Sequence, residues 1–151
     1  MASSALKEQL VSDMKSTMKS GDKSRLAVIR LMLSAIKQVE VDERIELDDA
    51  RVIAVIDKMA KQRRESITQF EKAQRTDLIE IEQSELKILQ EYLPEALSDE
   101  EIDRLIEQAI ESTGATEIKQ MGQVMGKLKP QLQGRADMGK VSQLIKSRLG
   151  S

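Results

Sequence analysis

MGQVMGKLKPQLQGRADMGKV, running from Met121 to Val141, holds four of the chain's seven glycines and one of its two prolines. Basic side chains are spread through it, Lys127, Lys129, Arg135 and Lys140, with Lys119 just before. Glycines beside basic residues form either a loop that cradles phosphate or the ends, turns and close contacts of helices. The apolar spacing decides between them. Ile118, Met121, Met125 and Leu128 follow one another by three, four and three residues, the period of a helix. Gly122 and Gly126 then share one helix face, where the lack of a Cβ would let another backbone approach. Each glycine costs about 1 kcal/mol relative to alanine in a helix interior. Pro130 would clash with the carbonyl of Gly126 in a regular helix, so the helix should kink or end there. Gly134 supplies a turn, and Asp137 is placed to cap a last helix that turns Val141, Leu144, Ile145 and Leu149 inward. A carboxylate at that helix N-terminus repels phosphate. Nor does the spacing match G-x-x-x-x-G-K-[ST] or G-x-G-x-x-G. The glycines read as architecture, and the segment as helix, turn, helix.

Working outward, nearly every other segment has the same period. Leu6, Leu10, Met14 and Met18 recur every four residues on a first helix that Gly21 ends. In RLAVIRLMLSAIKQVE, Leu26, Ile29, Leu33 and Ile36 share a face with Val28, Met32 and Ala35 close beside it. So wide an apolar surface predicts the most buried helix of its bundle. After the charged connector VDERIELDD, Asp48 or Asp49 caps a third helix with Val52, Val55, Ile56, Met59, Ile67 and Phe70 inward. Thr76 or Asp77 caps a fourth, which carries Leu78, Leu86, Leu89 and Leu93 and is stopped by Pro94. Ser98 with Glu101 three residues on forms a capping box for a fifth helix. That helix buries Ile102, Leu105, Ile106 and Ile110, and Gly114 fits its C′ position. The expectation is an all-α chain: an N-terminal helical bundle over residues 1–93 and a smaller helical domain over 97–151. The second is near the lower size limit for independent folding and should be of modest stability.

Composition narrows the chemistry. The 151 residues contain no cysteine and no histidine, which removes disulfides, thiolate nucleophiles and the usual general base and zinc ligand. No catalytic residue, metal site or cofactor is expected. No secretory signal or apolar run of about 20 residues is present, so a cytoplasmic location is the default expectation. The net charge of −2 hides an uneven distribution. Residues 1–75 carry +3, residues 76–114 carry −10 and residues 115–151 carry +5. Solvated helix faces whose signs pair between neighbouring helices would account for the acidic run, including Glu80, Glu82 and Glu85, and for the basic cluster Lys58, Lys61, Arg63 and Arg64. The C-terminal cations Lys119, Lys127, Lys129, Arg135, Lys140 and Lys146 could instead surround the kink and turn as a phosphate-facing surface. With one phenylalanine and one tyrosine, stacking on unpaired bases is unavailable. An RNA partner would then be folded, mainly double-stranded, and bound with strong salt dependence.

Three stretches together carry a resemblance: DMKSTMKSGDKSRLAVIRLMLSAIK (13–37), KQRRESITQFEKAQRTDLIEIEQSELKILQEYLP (61–94) and MGQVMGKLKPQLQGRADMGKVSQLIK (121–146). They resemble the YqeY family over essentially the full chain. The elements S-I-x-x-F-x-x-A, E-Y-L-P and M-G-x-V-M…G-R-A-D make it specific. Gln74 stands where the family often has Gly, and Ile81 where it often has Lys. The resemblance implies an all-helical protein whose C-terminal domain is of the type found as the tail of GatB, the B subunit of the glutamyl-tRNA(Gln) and aspartyl-tRNA(Asn) amidotransferase. It implies tRNA as partner for the region from Gly122 to Lys146, and a translation-related protein as an alternative partner. It also brings a carbon–nitrogen ligase label with glutamine as amido donor, although no segment remains for a catalytic domain.

Overall fold

A computed structural model describes residues 4–150, and among them there are seven α-helices, one short 3₁₀ turn and no strand. The chain is all-α. It divides into two compact units, one running to Leu93 and the other starting at Pro94.

The first unit holds α1 (Ala5–Ser20), α2 (Lys23–Glu43), α3 (Asp49–Lys72) and α4 (Thr76–Gln90) around a core that includes Leu10, Ile29, Met32, Ile36, Ile56 and Leu89. α2 carries five buried positions, more than any other helix, as its wide apolar face predicts. Gly21 ends α1 at φ +80°, a conformation glycine reaches without strain. Asp48 caps α3 by accepting from the Arg51 amide at 2.9 Å. Asp49 is occupied elsewhere, accepting from Ser4 Oγ at 2.5 Å and the Leu6 amide at 3.1 Å.

Two details differ from the sequence reading. Met18 is 53% exposed, and Thr17 takes the inward place. Apolar residues every four positions drift by about 40° per step on a helix of 3.6 residues per turn, so three steps carry Met18 some 120° round from Leu6. At the start of α4, neither Thr76 nor Asp77 is the cap; Arg75 is, with no side-chain capping bond. The turn before it is the reason. α3 closes in a Schellman motif, with the Arg75 amide donating to the Phe70 carbonyl and the Gln74 amide to that of Glu71, so α4 begins directly out of that turn. Gln74 sits at φ +57°, where such turns favour glycine.

The second unit holds α5 (Asp99–Thr113), the 3₁₀ turn (Ile118–Gln120), α6 (Met121–Leu132) and α7 (Met138–Leu149). Its core includes Ile106, Val124, Leu128, Leu132, Val141 and Ile145. The capping box at Ser98 and Glu101 is formed in both directions, and Gly114 ends α5 at φ +68°. Asp137 caps α7 by accepting from the Gly139 amide at 3.0 Å, and Gly134 makes the preceding turn at φ +77°. Pro130 lies inside α6, which runs two residues beyond it to Leu132.

Candidate nucleic-acid interface

α6 buries Val124, Leu128 and Leu132. Gly122 and Gly126 stand two positions before the first two of these, so they lie about 160° round the helix from the buried stripe. Both are exposed, and a Cβ added to either would meet nothing within 4 Å. The backbone that their missing Cβ would admit is not supplied by the described residues of this chain. Lys119 precedes Gly122 by three residues and Lys129 follows Gly126 by three. Gly122, Gly126 and Lys129 thus follow helical spacing along one exposed face of α6, and Lys119, in the 3₁₀ turn just before it, is exposed as well.

The six basic residues singled out in the sequence are not one cluster. Lys129 and Lys146 are exposed and make no side-chain hydrogen bond or ion pair among the described residues. Lys119 pairs with Glu117 at 3.0 Å, both mostly in solvent, and Lys140 lies 3.7 Å from Asp99. Exposed pairs of this kind contribute little and exchange readily for another anion. Lys127 donates to Ser112 Oγ on α5. Arg135 has structural work: its Nε donates to the Glu95 carbonyl at 3.0 Å, and its own carbonyl accepts from the Leu97 amide at 2.9 Å. It ties the segment before α5 to the turn before α7. Lys140 and Lys146 are six residues apart, about 120° from one another around α7. Counted over the whole second unit, nine carboxylates face eight cations, because α5 is acidic. Any anion-binding field is local to α6 and α7.

The other charged groups are internal to the first unit. Arg63 of α3 reaches Glu85 at 3.1 Å and Glu82 at 3.6 Å on α4. Of the cluster Lys58, Lys61, Arg63 and Arg64, Arg63 makes such pairs, and among the described residues Lys58, Lys61 and Arg64 make no ion pair with the acidic run. Glu40 was not singled out by the sequence reading. It is 7% exposed, accepts from Lys7 Nζ at 2.7 Å and from the Leu47 amide at 3.0 Å. The lysine, and then the amide, hold its carboxyl below the usual carboxylate range. The pair forms one wall of a pocket of about 280 Å³ between the start of α1 and the end of α2. Tyr92 was missed as well. Its hydroxyl donates to Asp13 Oδ2 at 2.5 Å, and burial, then that bond, push its pKa up to about 12.

The order of these parts along the chain is matched by a family model described as Yqey-like protein, over residues 7–149. The chain belongs to the YqeY family. Several relatives share one name, "Altered inheritance of mitochondria protein 41, mitochondrial". The protein of that name in Pyrenophora tritici-repentis is 34% identical over 147 residues, covering 95% of this chain and 80% of the relative. The one in Kluyveromyces lactis is 39% identical over 124 residues, covering 79% and 66%. The one in Lachancea thermotolerans is 36% identical over 114 residues, covering 74% and 58%. The chain thus spans less than two thirds of the length of the last two. These names overturn the expectation of a cytoplasmic location, since these three relatives are named as mitochondrial proteins. That expectation rested on the lack of a secretory signal and of a spanning helix. No helix among the described residues is long and apolar enough to cross a membrane, and this does not separate one aqueous compartment from another.

Proposed function

We propose that the chain is a non-catalytic accessory protein that binds tRNA, or a folded RNA of similar shape, along α6 and α7 of its second unit. The observation that carries this reading is the exposed α6 face of Gly122, Gly126 and Lys129, with Lys119 in the turn just before it. Gly126 costs the interior of α6 about 1 kcal/mol, Gly122 in its first turn costs less, and neither gains packing from the described residues of the chain. Their return lies with something outside it that approaches the helix backbone closely. The bracketing cations, with unpaired Lys146 on α7, favour an anionic backbone in that place. Membership of the YqeY family supports the same reading through the resemblance of this unit to the GatB tail. The near absence of aromatic side chains favours a duplex recognised by shape over unpaired bases.

The test is binding of total tRNA to the full chain across a salt series, beside the variants Lys119→Glu with Lys129→Glu and Lys146→Glu. Arg135 stays unchanged, because its loss would disturb the fold of the unit. The reading expects affinity to fall steeply with salt, and the salt slope to shrink by about one for each phosphate contact removed. Equal tRNA affinity in the parent and the charge-reversed chains would remove this surface from consideration.

A further inference from the structure

The outward face of α2 has a feature that RNA binding by the second unit does not use. Lys23, Arg30, Lys37 and Arg44 follow one another at intervals of seven residues, three on the helix and the last at its C-cap. Seven residues are nearly two turns, about 10.5 Å along the axis, so these side chains form a ridge along one flank. All four are exposed, and none makes a side-chain hydrogen bond or ion pair among the described residues. Of the carboxylates close in sequence, four are already engaged, and Glu46 is exposed beyond the end of the helix. Glu40 takes Lys7 at 2.7 Å, Glu43 takes Arg51, Asp42 accepts from Gln38 at 2.9 Å, and Asp22 caps α2 itself. Lys37 adds only a distant attraction to Glu40.

Beside the ridge runs an uncovered seam. Ala27, Leu31, Ser34, Gln38 and Val41 are spaced four, three, four and three, and all are exposed. Leu31 is 47% and Val41 59% exposed, although each is apolar and sits within an α-helix whose opposite side is the core of the unit. Residues at three-and-four spacing with like charges at seven-residue intervals on one flank are the pattern by which one helix receives another. The seam takes the a and d positions and the cations take g.

We propose that this face of α2 docks an amphipathic helix of a partner protein whose flanking positions are acidic. The complement follows from charge: a row of four free cations at heptad spacing is satisfied by glutamates or aspartates at the same spacing. A second copy of α2 laid antiparallel would set g against g, with Lys37 facing Lys37 and Arg30 facing Arg44, so the face is not self-complementary in that orientation. The exposed Leu31 and Val41 of the seam argue against a phosphate backbone, which has no apolar groups at helical spacing to meet them.

The experiment uses the full chain and a synthetic peptide of the same 21-residue length as α2, with leucine at a and d and glutamate at e and g. A second peptide carries lysine in place of glutamate. Binding is read by fluorescence anisotropy at several salt concentrations. The glutamate peptide is expected to bind saturably and more weakly as salt rises, and the lysine peptide to be ignored. The variant Arg30→Glu with Lys37→Glu should lose at least about tenfold in affinity for the glutamate peptide and gain the lysine peptide, a reversal that only a paired charge ridge produces. Leu31→Ser with Val41→Ser should weaken the complex without that reversal. All four positions are exposed, so circular dichroism should find the helix content of every variant unchanged. Failure of the glutamate peptide to bind, or equal binding to parent and charge-reversed chains, overturns the proposal. If these same substitutions instead abolish binding to phosphatidylserine vesicles, to tRNA or to a second copy of the chain in sedimentation, the face belongs to that ligand and the proposal is wrong.

Discussion

Gln74 holds a left-handed backbone conformation at the C′ position of α3, where a Cβ costs about 1 kcal/mol or more. Gln74→Gly is therefore expected to raise the stability of the first unit by about 1 kcal/mol in urea denaturation; a loss would show that the glutamine side chain contributes more than its backbone costs. Glu40 makes the opposite case. Its carboxyl is held down by the Lys7 ammonium and the Leu47 amide, so the folded pKa lies below the ordinary value. A depressed carboxylate contributes stability that is present above the unfolded pKa and lost as pH falls through the folded one. Glu40→Gln should cost about 1–2 kcal/mol at neutral pH, and the variant should then lose less than the parent on acidification. Tyr92 has the reverse sign. Its phenol is pushed up to about 12, so its share of stability is complete below pH 10 and disappears as pH rises between 10 and 12. Phenolate absorbance in the folded chain should appear only near the upper end of that window. Glu40 does not stand out in the sequence, and Tyr92 does so only as part of the E-Y-L-P element. Their partners lie 33 and 79 residues away, and a single chain records no such pairing.

At the scale of the helices, local chemistry made most of the fold readable. Ser98 with Glu101, Gly114, Gly21, Asp48 and Asp137 each announce a helix end through a bond formed within a few residues, and the structure places them there. The start of α4 was not readable in the same way, because a Schellman turn at the end of α3 displaced the cap that Thr76 or Asp77 would have made. The glycines of α6 are helical, as their spacing predicts, and the described residues of the chain put nothing in front of them. Spacing shows which residues share a face, and only the folded unit shows what that face meets. Open space in front of both makes a direct test. Gly126→Ala should stabilise the second unit by about 1 kcal/mol in thermal denaturation, and Gly122→Ala, in the first turn of α6, by less. The same variants should bind tRNA more weakly if the bare backbone is where RNA approaches. Stabilised variants with undiminished tRNA binding would confine the glycines to an architectural role.

For the whole molecule, the division at Leu93 and Pro94 separates a unit rich in long helices from a smaller one whose core rests on few large side chains. Two surfaces follow, one on each unit: the α6 and α7 face for an RNA backbone and the α2 ridge for an acidic helix. The basic residues of the first were singled out from the sequence, whereas the seven-residue row of cations on α2 was not. That Arg135 is committed to the Glu95 carbonyl while Lys129 and Lys146 are free could not be read there, because it depends on which segments the fold brings together. The most direct measurement is a titration of the isotopically labelled full chain with tRNA at low salt, followed by amide resonances. The Gly122 and Gly126 amides fall in the sparse glycine region of the spectrum. The proposed function requires these two, with the amides of Lys119, Lys129 and Lys146, to shift or broaden first while those of α2 stay in place. Perturbation centred on α2 with the α6 glycines unmoved, or no perturbation at all, would contradict it.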